Sequence, residues 1–229
     1  MKGNKKPPVK VIMHNEISLD GATRDFEPNL ELYYQIAETF KAEVHLVGSR
    51  TAKMGLKTYW GKIPAEEPED FAKPLIKSWD KRPYWFIPDT RGSLKGLLHV
   101  YRKSGYCKDV VVLVSKRTPK AYIKYLKDRN YDHYFCGRDR VDFRQALRLM
   151  RTNYGTKVVM TDSGGTLNNI LLKQGLISEI SLLVAPVLVG GKRTNLFRTL
   201  NLKGKKPRLQ LIKNRIQEKH YLLLIYRII

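Results

Sequence analysis

The chain has 229 residues, 42% of them hydrophobic, which suits one large domain or two small ones and excludes a wholly disordered protein. Its formal net charge of +22 attracts phosphorylated small molecules, but without an RNA-recognition signature, zinc finger or long basic tail it does not favour dedicated nucleic-acid binding. Two cysteines are too few for a secreted disulfide scaffold and match no metal-ligand spacing, so we expect reduced thiols in a cytoplasmic protein.

Strand-like and helix-like segments alternate along most of the chain. Short apolar runs bounded by turn signals predict buried strands at residues 9–14, 44–47, 84–87, 110–114 and 157–160. Apolar residues at helical spacing predict helices between them at residues 28–40, 119–129 and 143–153. The C-terminal part looks different, because strands follow one another without long helices, at residues 180–189, 208–213 and 221–228. We expect the strand at residues 221–228 to be an edge strand that could pair with a second copy of the chain.

This order predicts an α/β fold in a single domain over residues 1–229. We expect a mixed, mainly parallel central sheet flanked by helices, with antiparallel strands near the C-terminus. Residues 57–82 are rich in Pro, Lys and Glu and predict an irregular connection, either an insertion or a lid. The most apolar segment, residues 180–189, is shorter than the roughly 20 residues that a membrane helix needs, so we expect no membrane partner.

The strongest local signal is a Ser-Gly-Gly turn that follows the strand at residues 157–160 and opens an apolar helix. We expect Gly164 and Gly165 to take positive φ and to let the backbone approach a ligand, while the helix N-terminus favours a phosphate. A hydroxyl of Ser163 or Thr166 could add a hydrogen bond. The alternative is an ordinary glycine turn, and the absence of a G-x-G-x-x-G pattern argues against a Rossmann domain.

Two earlier strands also end in polar turns. Gly48 begins one that brings Arg50 and Thr51 near a helix start, and Thr90 and Arg91 lie in the other. Arginine suits a phosphate such as the 2′-phosphate of NADPH, although each turn alone could be a simple cap or surface turn. Because ligands of open α/β sheets bind beyond the carboxyl ends of the strands, we expect the three turns to gather on one rim.

Residues 14–21 follow the first predicted strand and are interpreted as a capped turn. Ser18 and Asp20 are good turn formers, and Gly21 permits the bend. No G-x-S-x-G elbow supports a catalytic triad, and the five histidines show no paired metal spacing. The sequence therefore predicts no metal site.

Several segments follow one another as they do in a known family. They include Gly-Leu-Ile-Ser-Glu-Ile-Ser and Ala-Pro-Val-Leu-Val-Gly-Gly, and the full set lies at residues 18–21, 47–51, 136–142, 162–168, 175–181 and 185–191. With these segments the chain resembles the reductase of riboflavin biosynthesis, a family with a dihydrofolate-reductase-like fold. It is most similar to the archaeal-type reductase of a diamino-ribosylamino-pyrimidinone phosphate.

The resemblance implies a homodimer and an NADPH that lies across the strand ends. It implies cofactor contacts at the nicotinamide, phosphates, ribose and adenine by Ile17, Gly48, Thr51, Thr90, Arg91, Gly137, Ser163, Gly164, Gly165, Thr166 and Leu167. It implies substrate contacts by Asn15, Ser18, Asp20, Phe26, Glu27 and Asp162.

Three positions depart from the family pattern. Ala22 stands where Lys is common, Asp162 replaces a Glu, and Gly55 stands where riboflavin enzymes tend to carry Asp. The resemblance places the first two positions against the substrate. The departures therefore shift weight toward a sister reductase that acts on a pterin or another related heterocycle.

The leading hypothesis is hydride transfer from NADPH to a C=N bond of a pyrimidine- or pterin-type substrate, as in reduction of a phosphorylated ribosylamino-pyrimidine. The cofactor supplies the chemistry, and the protein sets distance and excludes water. Asp20 and Asp162 are the candidate catalytic residues. The alternatives are a dihydrofolate- or pterin-type reductase, a non-catalytic NADPH-binding regulatory protein, and a polyanion-binding module.

Overall fold

The computed structural model describes residues 9–191, 194, 196–197 and 206–229. The strands in these residues are, in chain order, β1 (Lys10–Ser18), β2 (Val44–Leu46), β3 (Tyr84–Pro88), β4 (Val110–Val114), β5 (Asp132–Phe135), β6 (Val158–Thr161), β7 (Glu179–Ala185), β8 (Leu209–Gln217) and β9 (Tyr221–Ile228). The helices are α1 (Leu30–Glu38), α2 (Ser49–Tyr59), α3 (Leu98–Lys103), α4 (Lys120–Asp128), α5 (Phe143–Tyr154) and α6 (Gly165–Lys173), with a 3₁₀ helix at Pro68–Phe71. Among these described helices, none has the length and apolar character needed to cross a bilayer.

The contacts divide the chain into two units. The terminal unit consists of Met1–Ala42 and Lys157–Ile229, and the middle unit consists of Glu43–Thr156. The single domain over residues 1–229 stays a prediction.

The sheet of the terminal unit has the strand order β6-β1-β7-β9-β8. β1 pairs in parallel with β6 and β7 on its two sides, and β9 pairs antiparallel with both β7 and β8. α1 covers one face, where Leu32, Tyr33 and Ile36 pack with Leu183 and Leu223. The central position of β1 explains why almost all of its residues are buried.

The sheet of the middle unit has the strand order β5-β4-β3-β2, and all of its pairs are parallel. β4 is a run of valines and one leucine that is buried along its whole length, as expected for a strand inside a parallel sheet. Leu56, Leu98 and Leu126, one from each of α2, α3 and α4, pack in the same core as Val112. The predicted α/β class, with mainly parallel pairing and antiparallel C-terminal strands, is confirmed.

Several predictions about strands were wrong. The strand predicted at residues 180–189 ends at Ala185, and the strand predicted at residues 208–213 extends to Gln217. β1 does not end at residue 14 but continues to Ser18, because its backbone pairs with β7 as far as Ala185. Asn15 and Ile17 therefore lie in a strand, and only the residues after Ser18 form the turn. β9 was expected to be an edge strand, but it lies between β7 and β8, so that β8 is the edge.

The segment predicted as an insertion or lid begins inside α2, which runs to Tyr59. From there to β3 the 3₁₀ helix is its one regular element. Buried and half-buried charges attach the segment to the rest of the middle unit. Arg102 donates to the carbonyls of Asp70 and Ala72 at 3.2 Å each, and Arg129 Nε donates to Glu66 Oε2 at 2.8 Å.

Candidate functional site

Four parallel strands of the middle unit end at one edge of its sheet. The loops after β2 and β3 bring Gly48, Thr51, Thr90 and Arg91 to this edge, and Gly137 follows β5. The predicted cofactor residues of this unit therefore share the edge at which open α/β sheets bind their ligands.

A cavity of about 230 Å³ lies between the start of α2 and the loop after β3. Its walls carry positive charges and hydroxyl groups, from Ser49, Arg50, Lys53, Met54, Lys57, Arg91 and Ser93. Three of the cations lie on one side of α2, because residues three and four apart are neighbours on a helix surface. The lining residues include no carboxylate, so this donor set suits a phosphate group.

The loop that carries Arg91 is fixed by hydrogen bonds to Asp89, a residue to which the sequence analysis assigned no role. The buried Asp89 carboxylate accepts hydrogen bonds from the Ser93 backbone at 3.1 Å, the Ser93 hydroxyl at 3.0 Å and the Leu94 backbone at 2.9 Å. Gly92 has a φ of +72°, and a Cβ there would lie 2.8 Å from the Tyr122 ring. Only glycine fits this turn, which fixes the position of Arg91 beside the cavity.

Gly137 is required by its own turn. Its φ is +91°, and a Cβ there would lie 2.2 Å from the Arg140 carbonyl oxygen. Its backbone N donates to Gln145 Oε1 at 3.0 Å. These contacts are enough to explain why residue 137 is a glycine, whether or not a ligand binds there. Its position at the carboxyl edge of the sheet is nevertheless the one expected for a residue beside the cofactor.

In the terminal unit, the turn after β1 is built on Ser18 and Asp20. Ser18 Oγ donates to Asp20 Oδ1 at 2.6 Å and accepts from the Ala22 backbone at 2.8 Å. The Asp20 carboxylate also accepts from the backbones of Val189 at 3.2 Å and Gly190 at 2.9 Å. Asp20 therefore joins the turn to the loop after β7, which is a structural role.

Ala22 is completely buried. A lysine at this position would have to place its charged head in the core, so the departure from the family pattern matches the packing of this turn.

Asn15 connects β1 to the loop after β6. Its side-chain Nδ2 donates to the Asp162 carbonyl oxygen at 3.0 Å, and its Oδ1 accepts from Asn168 Nδ2 at 3.3 Å. Two residues predicted to contact the substrate, Asn15 and Asp162, thus lie together at the carboxyl end of β6, beside β1.

α6 begins directly after Gly164, which is its N-cap residue and offers no side chain for capping. The expectation of positive φ was wrong, because Gly164 has a φ of −69° and Gly165 is not among the positive-φ residues. A Cβ at Gly164 would meet no atom within 4 Å, so close packing does not require a glycine at this position. Ser163 and the Leu167 side chain are buried, whereas Thr166 is exposed.

The remaining predicted residues of this unit flank the same edge. Ile17 is half-buried on β1, opposite Val184 of β7. Phe26 is half-buried and Glu27 is exposed in the irregular stretch before α1.

Glu16 is a residue of this edge that sequence reasoning missed. It is buried on β1, and its Oε1 accepts a hydrogen bond from the Asn29 backbone N at 3.2 Å. Burial raises the pKa of the Glu16 carboxyl, and the hydrogen bond from Asn29 opposes part of that rise. The pKa of the nearby Tyr33 is raised well above its usual value, first by burial and then by the charges of Asp162, Tyr34 and Glu16. The sequence did contain a signal that could have revealed Glu16, because it is an acidic residue inside an apolar strand.

A family model for the RibD C-terminal domain matches residues 9–221 of the chain. Among solved structures, a pyrimidine reductase-like protein of Corynebacterium diphtheriae is 12% identical, with a TM-score of 0.71 over 96% of this chain and 92% of that one. Riboflavin biosynthesis reductase Rib7 of Saccharomyces cerevisiae is 15% identical, with a TM-score of 0.63 over 96% of this chain and 90% of that one. RibD of Acinetobacter baumannii is 15% identical, with a TM-score of 0.64 over 96% of this chain but only 58% of that one. These likenesses confirm the predicted dihydrofolate-reductase-like fold.

Proposed function

We infer the function from one premise: the chain belongs to the family of the RibD C-terminal domain. We propose that the protein is an NADPH-dependent reductase that transfers a hydride to a C=N bond of a pyrimidine- or pterin-type substrate, as in riboflavin biosynthesis. Two proteins of similar structure are a pyrimidine reductase-like protein and a riboflavin biosynthesis reductase, which supports this reaction class.

The cationic cavity of the middle unit is the observation that carries the choice of NADPH. Arg50, Lys53, Lys57 and Arg91 bring four positive charges to one cavity, and Ser49 adds a hydroxyl. A guanidinium forms paired, charge-assisted hydrogen bonds to phosphate oxygens. NADH lacks the 2′-phosphate that would use these charges, so the donor set favours NADPH.

The other predicted cofactor residues keep their proposed roles. In the middle unit, Gly48 and Thr51 would contact phosphate or ribose at the start of α2, Thr90 the adenosine end, and Gly137 the adenine. In the terminal unit, residues 163–167 would bind the pyrophosphate at the start of α6, where the first backbone N–H groups of the helix point outward. Ile17 would hold the nicotinamide amide through its backbone.

The substrate is proposed to be a phosphorylated heterocycle at the carboxyl ends of β1 and β6. Asn15, Ser18, Phe26, Glu27 and Asp162 would surround it, and Asp20 would act by positioning the turn that carries Ser18. Bound NADPH supplies the hydride. The net charge of +22 would raise the local concentration of an anionic substrate.

We also propose that the protein is a homodimer and that it is cytoplasmic. The exposed edge strand β8 supports a homodimer, since unpaired strand edges invite pairing with another chain. Cys107 and Cys136 are both free and buried, which supports the proposed cytoplasmic location with reduced thiols.

Binding of NADPH to the purified protein tests the cofactor proposal. We expect NADPH to quench tryptophan fluorescence and to bind more tightly than NADH. Replacing Arg91 by Met should weaken NADPH binding about 10- to 100-fold, which corresponds to the loss of one charge-assisted hydrogen bond of about 1.5–3 kcal/mol, and should leave NADH binding almost unchanged.

Lys124→Met is the matched control, because Lys124 is an exposed cation on α4 that does not line the cavity. It should leave both affinities unchanged. No saturable binding of NADPH at high micromolar cofactor would defeat the proposal.

A further inference from the structure

Only one of the two carboxyl oxygens of Glu16 forms a hydrogen bond within the described residues. Its side chain lies on β1, two residues before Ser18, and the residue is 8% exposed. Oε1 accepts from the Asn29 backbone at 3.2 Å. Oε2 is buried and accepts no hydrogen bond from any residue that the structure describes. One oxygen of this buried acid is therefore left without a hydrogen-bond partner among the described residues.

Holding the start of α1 does not by itself explain a carboxylic acid at this position. The helix is already capped by Asn29 Oδ1, which accepts from the Leu32 backbone at 3.0 Å. The Asn29 backbone needs one acceptor oxygen, which a neutral glutamine would supply equally well. A second buried oxygen without a partner only adds a desolvation cost.

Burial disfavours the charged form of Glu16 more than the hydrogen bond from the Asn29 backbone favours it. Tyr33 of α1 donates its hydroxyl proton to the His14 carbonyl, and the His14 ring stacks on Tyr33 and contacts Ser181 Oγ. Two acidic groups of the terminal unit act on the same surroundings: Asp162 after β6, whose charge raises the pKa of Tyr33 as that of Glu16 does, and Glu218 in the turn between β8 and β9, which accepts from Asn29 Nδ2 at 2.8 Å. Burial therefore favours a Glu16 that keeps its proton.

We propose that Glu16 is the proton donor of the reduction, an inference that rests on the proposed function. Glu16 Oε2–H gives its proton to the nitrogen of the substrate C=N bond, and the carbon receives the hydride that bound NADPH supplies. The double bond becomes a single bond between a CH and an NH group, NADPH is oxidised to NADP⁺, and Glu16 is left as a carboxylate that regains a proton from water. Asp20 is less suited, because three donors already occupy its carboxylate.

Replacing Glu16 by Gln tests this role, since the amide keeps the size and the acceptor for Asn29 but cannot donate an acidic proton. We expect kcat to fall about 100-fold or more, with NADPH affinity unchanged. In the wild-type protein, kcat should fall as pH rises through the pKa of Glu16, and this limb of the pH profile should be absent from E16Q. Glu38→Gln, an exposed change on α1, should behave like the wild type.

A second readout does not depend on turnover. In protein labelled with ¹³C at the glutamate carboxyl carbons, the signal missing from E16Q belongs to Glu16, and it should titrate above the ordinary glutamate range. A signal that titrates within that range, or a folded E16Q with wild-type kcat and pH profile, would overturn the inference and leave the reductase proposal standing. A wild-type protein that binds no NADPH would overturn both.

Discussion

Gly92 shows how a single residue shapes the cationic cavity that is proposed to bind NADPH. Its positive φ and its contact with the Tyr122 ring exclude any side chain, so Arg91 is presented by a turn of fixed shape. Gly92→Ala should destabilise the protein by about 2–4 kcal/mol, because it adds a collision of about 1–3 kcal/mol to a left-handed backbone cost of about 1 kcal/mol. It should also weaken NADPH binding by displacing Arg91.

Gly105→Ala isolates the backbone part of this effect. Gly105 also has positive φ, at +80°, but a Cβ there would meet no atom within 4 Å. We expect a loss of only about 1 kcal/mol and unchanged NADPH binding. Urea denaturation and fluorescence titration measure both quantities, and equal losses in the two variants would show that the Tyr122 contact is unimportant.

Residues of the site differ in how far the sequence could predict them. Arg91 and the turn at Gly48 follow apolar strands and were predicted, since a polar turn after a buried strand is visible in the sequence. Asp89 and Glu16 were not, because their importance depends on burial and on backbone donors that only the folded chain supplies. The sequence also could not reveal that the Asp20 carboxylate is shared with the loop after β7, which lies more than 160 residues away.

At the scale of elements, prediction succeeded where apolar residues dominate a segment. The bounds of β4 and β9 match the prediction, because β4 is entirely apolar and β9 is apolar or aromatic except for Arg227. β5 and α3 were missed, since the four residues of β5 mix charged and aromatic side chains and α3 is only six residues long. The order of the C-terminal strands could not be predicted from their composition, because a hairpin can place either strand at the edge.

Arg102 is one of several residues that attach the segment between α2 and β3 to the rest of the middle unit. This side chain pairs with the buried Asp109 at 2.8 Å and 3.3 Å, donates to four backbone carbonyls, and stacks on Tyr131. Arg102→Met keeps most of the volume but leaves Asp109 as a buried charge without its partner. We expect a loss of about 3–5 kcal/mol near neutral pH, and faster proteolysis between α2 and β3.

The loss should depend on pH in a defined direction. Burial raises the pKa of Asp109 in the folded protein, and the bond from Arg102 opposes that rise. Without Arg102 the folded-state pKa rises further, so the folded protein holds this proton more tightly than the unfolded chain. The stability of Arg102→Met should therefore be retained best in acid and decline as pH rises through that pKa.

Urea denaturation of both proteins at several pH values measures this dependence. Arg117→Met is the control, because Arg117 forms an exposed ion pair with Asp139 and should contribute less than about 1 kcal/mol. A constant loss at all pH values would contradict the role given to Asp109, and unchanged proteolysis would show that the segment is held by other contacts.

At the scale of the whole molecule, the exposed face of the edge strand β8 favours association of two chains into a homodimer. Leu211 is 44% exposed and Ile216 is 73% exposed on this edge strand. Apolar side chains beside unpaired backbone groups are the features that proteins normally avoid on a free edge. Pairing of β8 with β8 of a second copy would cover both, and antiparallel pairing about a twofold axis satisfies the symmetry of a closed dimer.

Ile216→Lys tests this assembly, because a lysine on an edge strand opposes pairing with another chain. Light scattering should give the mass of two chains for the wild type and of one chain for the variant. Leu75→Lys is the control, since Leu75 is 88% exposed in the middle unit, away from β8 in the chain, and should leave the dimer intact. A wild-type protein with the mass of one chain would refute the homodimer. If the Ile216→Lys variant still had the mass of two chains, the dimer interface would have to lie on a surface other than β8.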